Sequence, residues 1–311
     1  MNYNYEQITY PSSDGINTIH ADIYTPKNKT ACGIIQLAHG MVDHPGRYLN
    51  LIEFLTGEGY IFAGNHHLGH GRSAKSEDDF GYFAKKGGTH YLIEDMHTMN
   101  KYLRESYPAL PLVVLGHSMG SFIARLYTVR HPHSMRAVII HGTGGKNPLA
   151  PIGRLLARTV ALFKGERNRS KLILALAFGS YNKRFDKSEG RNAWLSRDTE
   201  AIKGKKNDPL ASFYFTVSGY SDLFKMLEDC NSGEWFREYP KDMRTLIISG
   251  DGDPVGNYGK GVKWVYRKLM LLGAKDLEIK LYEGARHELF NETNRGEIFL
   301  DMKKWLDGVS L

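Results

Sequence analysis

At 311 residues, with 41% apolar and 24% charged residues, the chain has the composition of a globular protein large enough to bury a substantial core. Its longest obvious apolar stretch, from Leu172 to Phe178, is far short of the roughly 18 residues a membrane-spanning helix needs. Two cysteines, Cys32 and Cys230, exclude a disulfide framework or a cysteine-rich zinc site, and both are expected as buried free thiols. The opening residues Met1 to Glu6 lack the basic start and apolar run of a signal peptide, so a cytoplasmic location is expected.

In chain order, strand-like runs fall at 18–24, 33–38, 60–64, 112–115 and 137–140, with helical patterns between the later ones. Such alternation predicts an α/β protein with a mostly parallel sheet covered on both faces. After His141 the rhythm stops, and the segment to Tyr239 reads as helical and irregular. It resumes with a strand at 245–249, a helix near 260–272, a strand at 277–282 and a terminal helix at 295–306. The simplest organisation is a core, 1–142 and 240–311, interrupted by a helical cap at 143–239.

The charge follows the same division. Residues 151–206 carry 14 Lys and Arg against 5 Asp and Glu, net +9, while the rest carries 27 against 29, net −2; the chain's +7 therefore belongs to the insertion. A basic cap would attract anionic lipid head groups or phosphate-bearing substrates. The segment from Pro151 to Lys164 places Ile152, Leu155, Leu156, Val160 and Phe163 near one helical face, with Arg154, Arg158 and Lys164 elsewhere. Packing of that face against the core is the favoured reading, and a surface-seeking amphipathic helix the other. Nucleic acid is not expected as a partner, because the basic residues come without a recognisable binding motif.

The chemistry is concentrated in the turns that end the strands. Gly116-His117-Ser118-Met119-Gly120 joins an apolar strand to a helical segment with Phe122, Ile123, Leu126 and Val129 at helical spacing. This is the layout of a nucleophile elbow, in which a strained turn lifts the serine hydroxyl above the sheet and leaves no room for a Cβ two residues to either side. A nucleophilic serine needs a base, an acid to orient it and donors for an oxyanion, with the partners following in the order Ser, Asp or Glu, His. His287, the only histidine after His141, ends the 277–282 strand loop and is the economical base. Asp251 and Asp253 both lie in the turn after 245–249. The glycines at 250 and 252 suggest a tight loop in which the first aspartate is taken up by turn hydrogen bonding. One oxyanion donor would be the Met119 N–H, and the other the Met41 N–H in the turn His39-Gly40-Met41 after the 33–38 strand.

Together with His44-Pro45-Gly46-Arg47-Tyr48 and Gly69-His70-Gly71-Arg72-Ser73, these stretches resemble the monoacylglycerol lipase and lysophospholipase-like branch of the α/β-hydrolases, also grouped as serine aminopeptidase-like hydrolases. The likeness spans nearly the whole chain outside the cap. It implies an eight-stranded sheet with a helical cap, Ser118, Asp253 and His287 as catalytic triad, and the Met41 and Met119 amides as oxyanion hole. It also implies a carboxylic ester of glycerol or a lysophospholipid, or a similar small lipid ester, as substrate, with no cofactor or metal. One departure is visible: the family usually has Asp-His ahead of Gly-His-Gly, and this chain has His66-His67. The three imidazoles of His66, His67 and His70 lack an obvious fourth ligand and read as a packed turn. The cap aromatics Phe178, Tyr181, Trp194, Phe213 and Tyr214 are candidates to shape the substrate pocket. An acyltransferase or amidase could use the same residues; a non-catalytic ligand-binding homologue is disfavoured because every catalytic position is filled.

Overall fold

The computed structural model describes residues 1–309. Eight strands form one sheet: β1 (Tyr3–Pro11), β2 (Thr18–Pro26), β3 (Gly33–Ala38), β4 (Tyr60–Asn65), β5 (Leu112–His117), β6 (Ala137–His141), β7 (Arg244–Gly250) and β8 (Leu277–Tyr282). Their spatial order is β1-β2-β4-β3-β5-β6-β7-β8. β2 runs antiparallel to both neighbours, and every pairing from β4 to β8 is parallel. This is the α/β-hydrolase arrangement.

The central strands β3, β4 and β5 are buried along their whole length, as continuous apolar runs in a sheet covered on both faces must be. Alternate residues feed two cores. Ile34, Val114 and Val138 face α2 (Gly88–Ser106) and α3 (Met119–Arg130) through Met96, Met99 and Ile123. Ile35, Leu37, Val113 and Leu115 face the opposite layer, where α1 (Leu49–Gly57) gives Leu51 and Ile52 and α10 (Arg295–Leu306) gives Phe299 and Met302. β1 is the strand the apolar pattern did not reveal: it is an edge strand whose residues are mostly exposed, so it carries little hydrophobic signature. Cys230 is buried as expected, but Cys32 is exposed, because it lies in the connection before β3, with its backbone N–H on Gly59 O.

Between β6 and β7 the described chain adds no strand. It contributes α4 (Ala150–Lys164), α5 (Lys171–Phe178), α6 (Thr199–Asn207), α7 (Val217–Asp229) and α8 (Gly233–Glu238). α4 packs on α7, which in turn lies on α2 and α3. The insertion leaves and rejoins the core at one buried point. Arg125 of α3, fully buried and without an acidic partner, donates to Thr143 Oγ1 and Gly144 O at the start of the insertion, and to Cys230 O and Asn231 Oδ1 near its end. Its guanidinium stacks 4.4 Å from the Trp235 ring centroid. α9 (Lys260–Leu271) then completes the layer beside β7 and β8.

α4 does not bury its apolar face as favoured from the sequence. Ala157 is buried, and Leu156 and Val160 pack against the core. Ile152, Leu155, Leu162 and Phe163 are 63%, 68%, 81% and 80% exposed. α7 and the short α5 leave uncovered part of a helix that is apolar over so much of its circumference.

Candidate active site

Three loops at the carboxyl edge of the parallel strands bring the candidate residues together. Ser118 lies between β5 and α3 at φ 56°, ψ −120°, a left-handed strain that few non-glycine residues tolerate. Only four non-glycine residues in the described chain have positive φ, and all four lie in loops at this edge: Val42 after β3, Ser118 after β5, and Asn257 and Tyr258 in the loop after β7 that carries Asp253. A Cβ on Gly120 would overlap the Ala38 carbonyl, and one on Gly116 would come 2.6 Å from Ala124 Cβ, so the turn demands both glycines.

His287 follows β8. Its Nδ1–H donates to Asp253 Oδ2 at 2.9 Å, and both side chains are almost wholly buried. Asp253 also accepts from Val255 N–H and the Ser249 hydroxyl, which fix the carboxylate. Asp251, by contrast, is exposed and accepts from Gly284 N–H at 2.7 Å. The turn therefore presents Asp253 and not Asp251 to the imidazole. Ser118 N–H donates to His141 O, and a Cβ on the adjacent Gly142 would lie 3.2 Å from the His287 ring, so serine and histidine share one corner. No hydrogen bond links Ser118 Oγ to His287 in this structure.

The turn after β3 runs against the serine: a Cβ on Gly40 would lie 3.3 Å from Ser118 Cβ. Neither the Met41 nor the Met119 amide is used in a hydrogen bond within the protein. Three successive peptide units of this turn are pinned. His39 Nε2 accepts from His67 N–H, which leaves Nδ1–H to donate to Gly40 O at 2.9 Å. His70 Nδ1–H donates to Leu68 O, leaving Nε2 to accept Val42 N–H at 3.2 Å. Lys205 Nζ, from α6, donates to Val42 O at 2.7 Å. Burial pulls the His39 pKa well below its ordinary value and that of His70 to about 4, so both rings are neutral near pH 7, as these bonds require.

The His66-His67 departure is accommodated by β2. His66 Nε2 sits 3.1 Å from Asp22 Oδ2, its Nδ1 accepts Arg72 N–H, and Arg72 also pairs with Asp22. The ring nitrogens of His66 and His70 are thus occupied by protein partners, and no metal-holding group of three or more His, Cys, Asp or Glu exists among the described residues.

Behind the site lies a charged seam whose distant members, Glu288 and Lys205, have no local trace in the sequence beside Asp43, Arg47 and Tyr48. Arg47 pairs with Asp43 at 3.0 Å and with Glu288 at 2.8 Å. Burial alone would raise the Glu288 pKa, but Arg47 and Lys205 draw it down to about 2. The Tyr48 hydroxyl donates to Asp43 and accepts from His117 Nδ1, and His117 stacks between His141 and His287 at ring separations of 4.3 and 4.9 Å. The insertion closes over the other face of His287. Trp194 lies 5.0 Å from the imidazole and its carbonyl accepts His287 N–H. Phe178 and Tyr181 cluster on Trp194, whereas Phe213 packs on His70 and Phe80. Tyr214 is 55% exposed and joins neither group.

Residues 29–294 match the family described as serine aminopeptidase, S33. The chain belongs to this family. This α/β-hydrolase is 25% identical over 294 residues to the monoacylglycerol lipase of Mycolicibacterium smegmatis, covering 94% of the chain and 93% of that protein. It is 27% identical over 294 residues to human monoglyceride lipase, covering 91% and 85%. Among solved structures, a thermostable carboxyl esterase from Bacillus coagulans in complex with glycerol superposes with a TM-score of 0.91 at 30% identity, over 98% of both chains. The likeness is thus to the monoacylglycerol lipase-like branch, and it extends through the insertion.

Proposed function

We propose that this hydrolase is a serine carboxylesterase of the lipase type, acting on monoacylglycerol- or lysophospholipid-like esters through an acyl-Ser118 intermediate. The observation that carries the reading is the buried Asp253–His287 pair beside a strained serine flanked by two uncommitted amides. His287 Nε2 takes the Ser118 proton as the hydroxyl attacks the ester carbonyl, while Asp253 holds Nδ1–H and stabilises the imidazolium. The Met41 and Met119 N–H groups receive the oxyanion, and preorganised donors of this kind contribute roughly 3 kcal/mol each. His287 then protonates the departing alcohol, and water, deprotonated by the same imidazole, releases the acid. These steps need no cofactor or metal. The names of the relatives, and the aromatic cluster of Phe178, Tyr181 and Trp194 above His287, support a single acyl chain entering beneath the 143–239 insertion, which acts as a cap.

An amphiphilic substrate gives the exposed face of α4 and α5 a purpose. Ile152, Leu155, Leu162, Phe163, Leu172 and Leu176 present apolar surface to solvent, and exposed Arg158, Lys164 and Lys171 lie among them. Apolar residues bordered by cations match an anionic lipid surface. Among the described residues no helix is long and apolar enough to cross a membrane, so contact of this kind is peripheral.

The deciding experiment is hydrolysis of p-nitrophenyl butyrate and of a monoacylglycerol by wild type and Ser118→Ala, with fluorophosphonate labelling of Ser118. Loss of both activities and of labelling in a folded variant is expected. Activity retained in Ser118→Ala would refute the mechanism, and product partition toward an added alcohol or amine in preference to water would make the protein a transferase.

A further inference from the structure

We propose that Lys205, on the cap helix α6, is a positioning residue for the oxyanion-binding turn, so that the cap completes the site chemically as well as covering it. The inference rests on the ester-hydrolase reading and deepens it. Of the three pinned peptide units between Gly40 and Asp43, two are held by core histidines, His39 and His70, and the third only by Lys205. The turn needs such support, because Val42 is a β-branched residue at φ 53°, a conformation that persists only where its surroundings enforce it. Without the Val42 carbonyl contact, the 42–43 peptide is free to rotate and relax that strain, and the turn that carries the Met41 N–H two peptide units away is then held only through its His39 and His70 bonds.

The geometry distinguishes this role from an ordinary ion pair. Lys205 Nζ is 2.7 Å from Val42 O but 3.7 Å from Glu288 Oε1, so its shorter bond is to the backbone. Its side chain is 12% exposed, and a lysine retained where desolvation penalises its charge is engaged by more than solvent. The same end of the cap touches the turn again through Asp208 Oδ2, 2.7 Å from His44 Nε2. With Arg47, Lys205 makes two cations facing the two carboxylates Asp43 and Glu288, a neutral set.

The test is steady-state hydrolysis of soluble p-nitrophenyl butyrate by Lys205→Met, Lys205→Arg and Ser118→Ala, with thermal melting of each. Lys205→Met should lower kcat about tenfold or more with KM unchanged, because a misplaced oxyanion donor acts in the transition state. Lys205→Arg, which can still donate to Val42 O, should recover most of the loss. Wild-type kcat in folded Lys205→Met, or a loss confined to KM, would overturn the assignment. If Lys205→Met does not fold, Lys205→Gln, which removes the charge and shortens the side chain, serves in its place: a kcat-selective loss supports the role, and wild-type kcat refutes it. Should Ser118→Ala retain activity, the ester-hydrolase reading itself fails; full loss there with wild-type kcat in Lys205→Met removes only the present inference.

Discussion

Replacing Leu155 and Phe163 by serine separates lipid docking from chemistry. The two side chains are 68% and 80% exposed, so they contribute little to the fold, and their loss should change stability by no more than about 0.5 kcal/mol. Full burial of a leucine or phenylalanine is worth about 1.5–3 kcal/mol. With two thirds to four fifths of each surface still open to water, insertion into a lipid interface can return about 1–2 kcal/mol per residue. The double variant should therefore lose roughly 3 kcal/mol of membrane affinity, on the order of a hundredfold in the dissociation constant. Co-sedimentation with vesicles containing phosphatidylserine measures that constant. Turnover of a monoacylglycerol carried in the same vesicles should fall with it, while p-nitrophenyl butyrate, which is soluble, should be hydrolysed as by wild type. Unchanged vesicle binding would refute the docking argument, and equal losses on both substrates would show that α4 shapes the pocket.

Two further outcomes follow from the site itself. Gly120→Ala drives a Cβ into the Ala38 carbonyl, so the elbow must open; labelling by fluorophosphonate should be lost and the melting temperature should fall by several degrees, whereas normal labelling would contradict the elbow geometry. The buried histidines set an acid limit. Burial depresses the pKa of His70 to about 4 and of His67 to about 3, well below their unfolded values near 6.5. Below pH 6.5 the unfolded chain takes up protons that the fold excludes, so stability is full above that pH and declines beneath it, by up to about 1.4 kcal/mol per pH unit for each ring. Urea melts between pH 7.5 and 5 should show this decline, and a flat profile would refute it.

What could be read from the chain, and what could not, divides by range. The strand ends announced themselves locally: an apolar run followed by Gly-x-Ser-x-Gly, or by Gly-x-x-Asp253, is complete within a few residues. The α4 segment showed apolar residues at helical spacing, but which of them meet a partner depends on α7, some 60 residues further along. The edge strand β1 was silent because exposed positions need no hydrophobic pattern. Lys205 lay in a lysine-rich run that reads as a solvated face, and its partners Val42 and Glu288 are brought to it only by closure of the insertion. Contacts between the segment from β6 to β7 and distant core residues have no short-range signature.

Arg125 ties the entry and exit of the insertion to a single residue of the helix that begins at the serine. Because the two ends meet, lengthening or shortening the segment between Gly144 and Cys230 leaves the distance it must span unchanged, and loop-closure entropy grows only logarithmically with length. The segment therefore tolerates changes of length between its anchors as long as α7 keeps its packing on α2 and α3. Transplanting the corresponding stretch of another family member between these two anchor points would exchange the aromatic surface of Phe178, Tyr181 and Trp194 against His287 while the strained elbow and its hydrogen-bonded histidine stay in place, provided the incoming segment keeps the α7 contacts and supplies a donor for Val42 O.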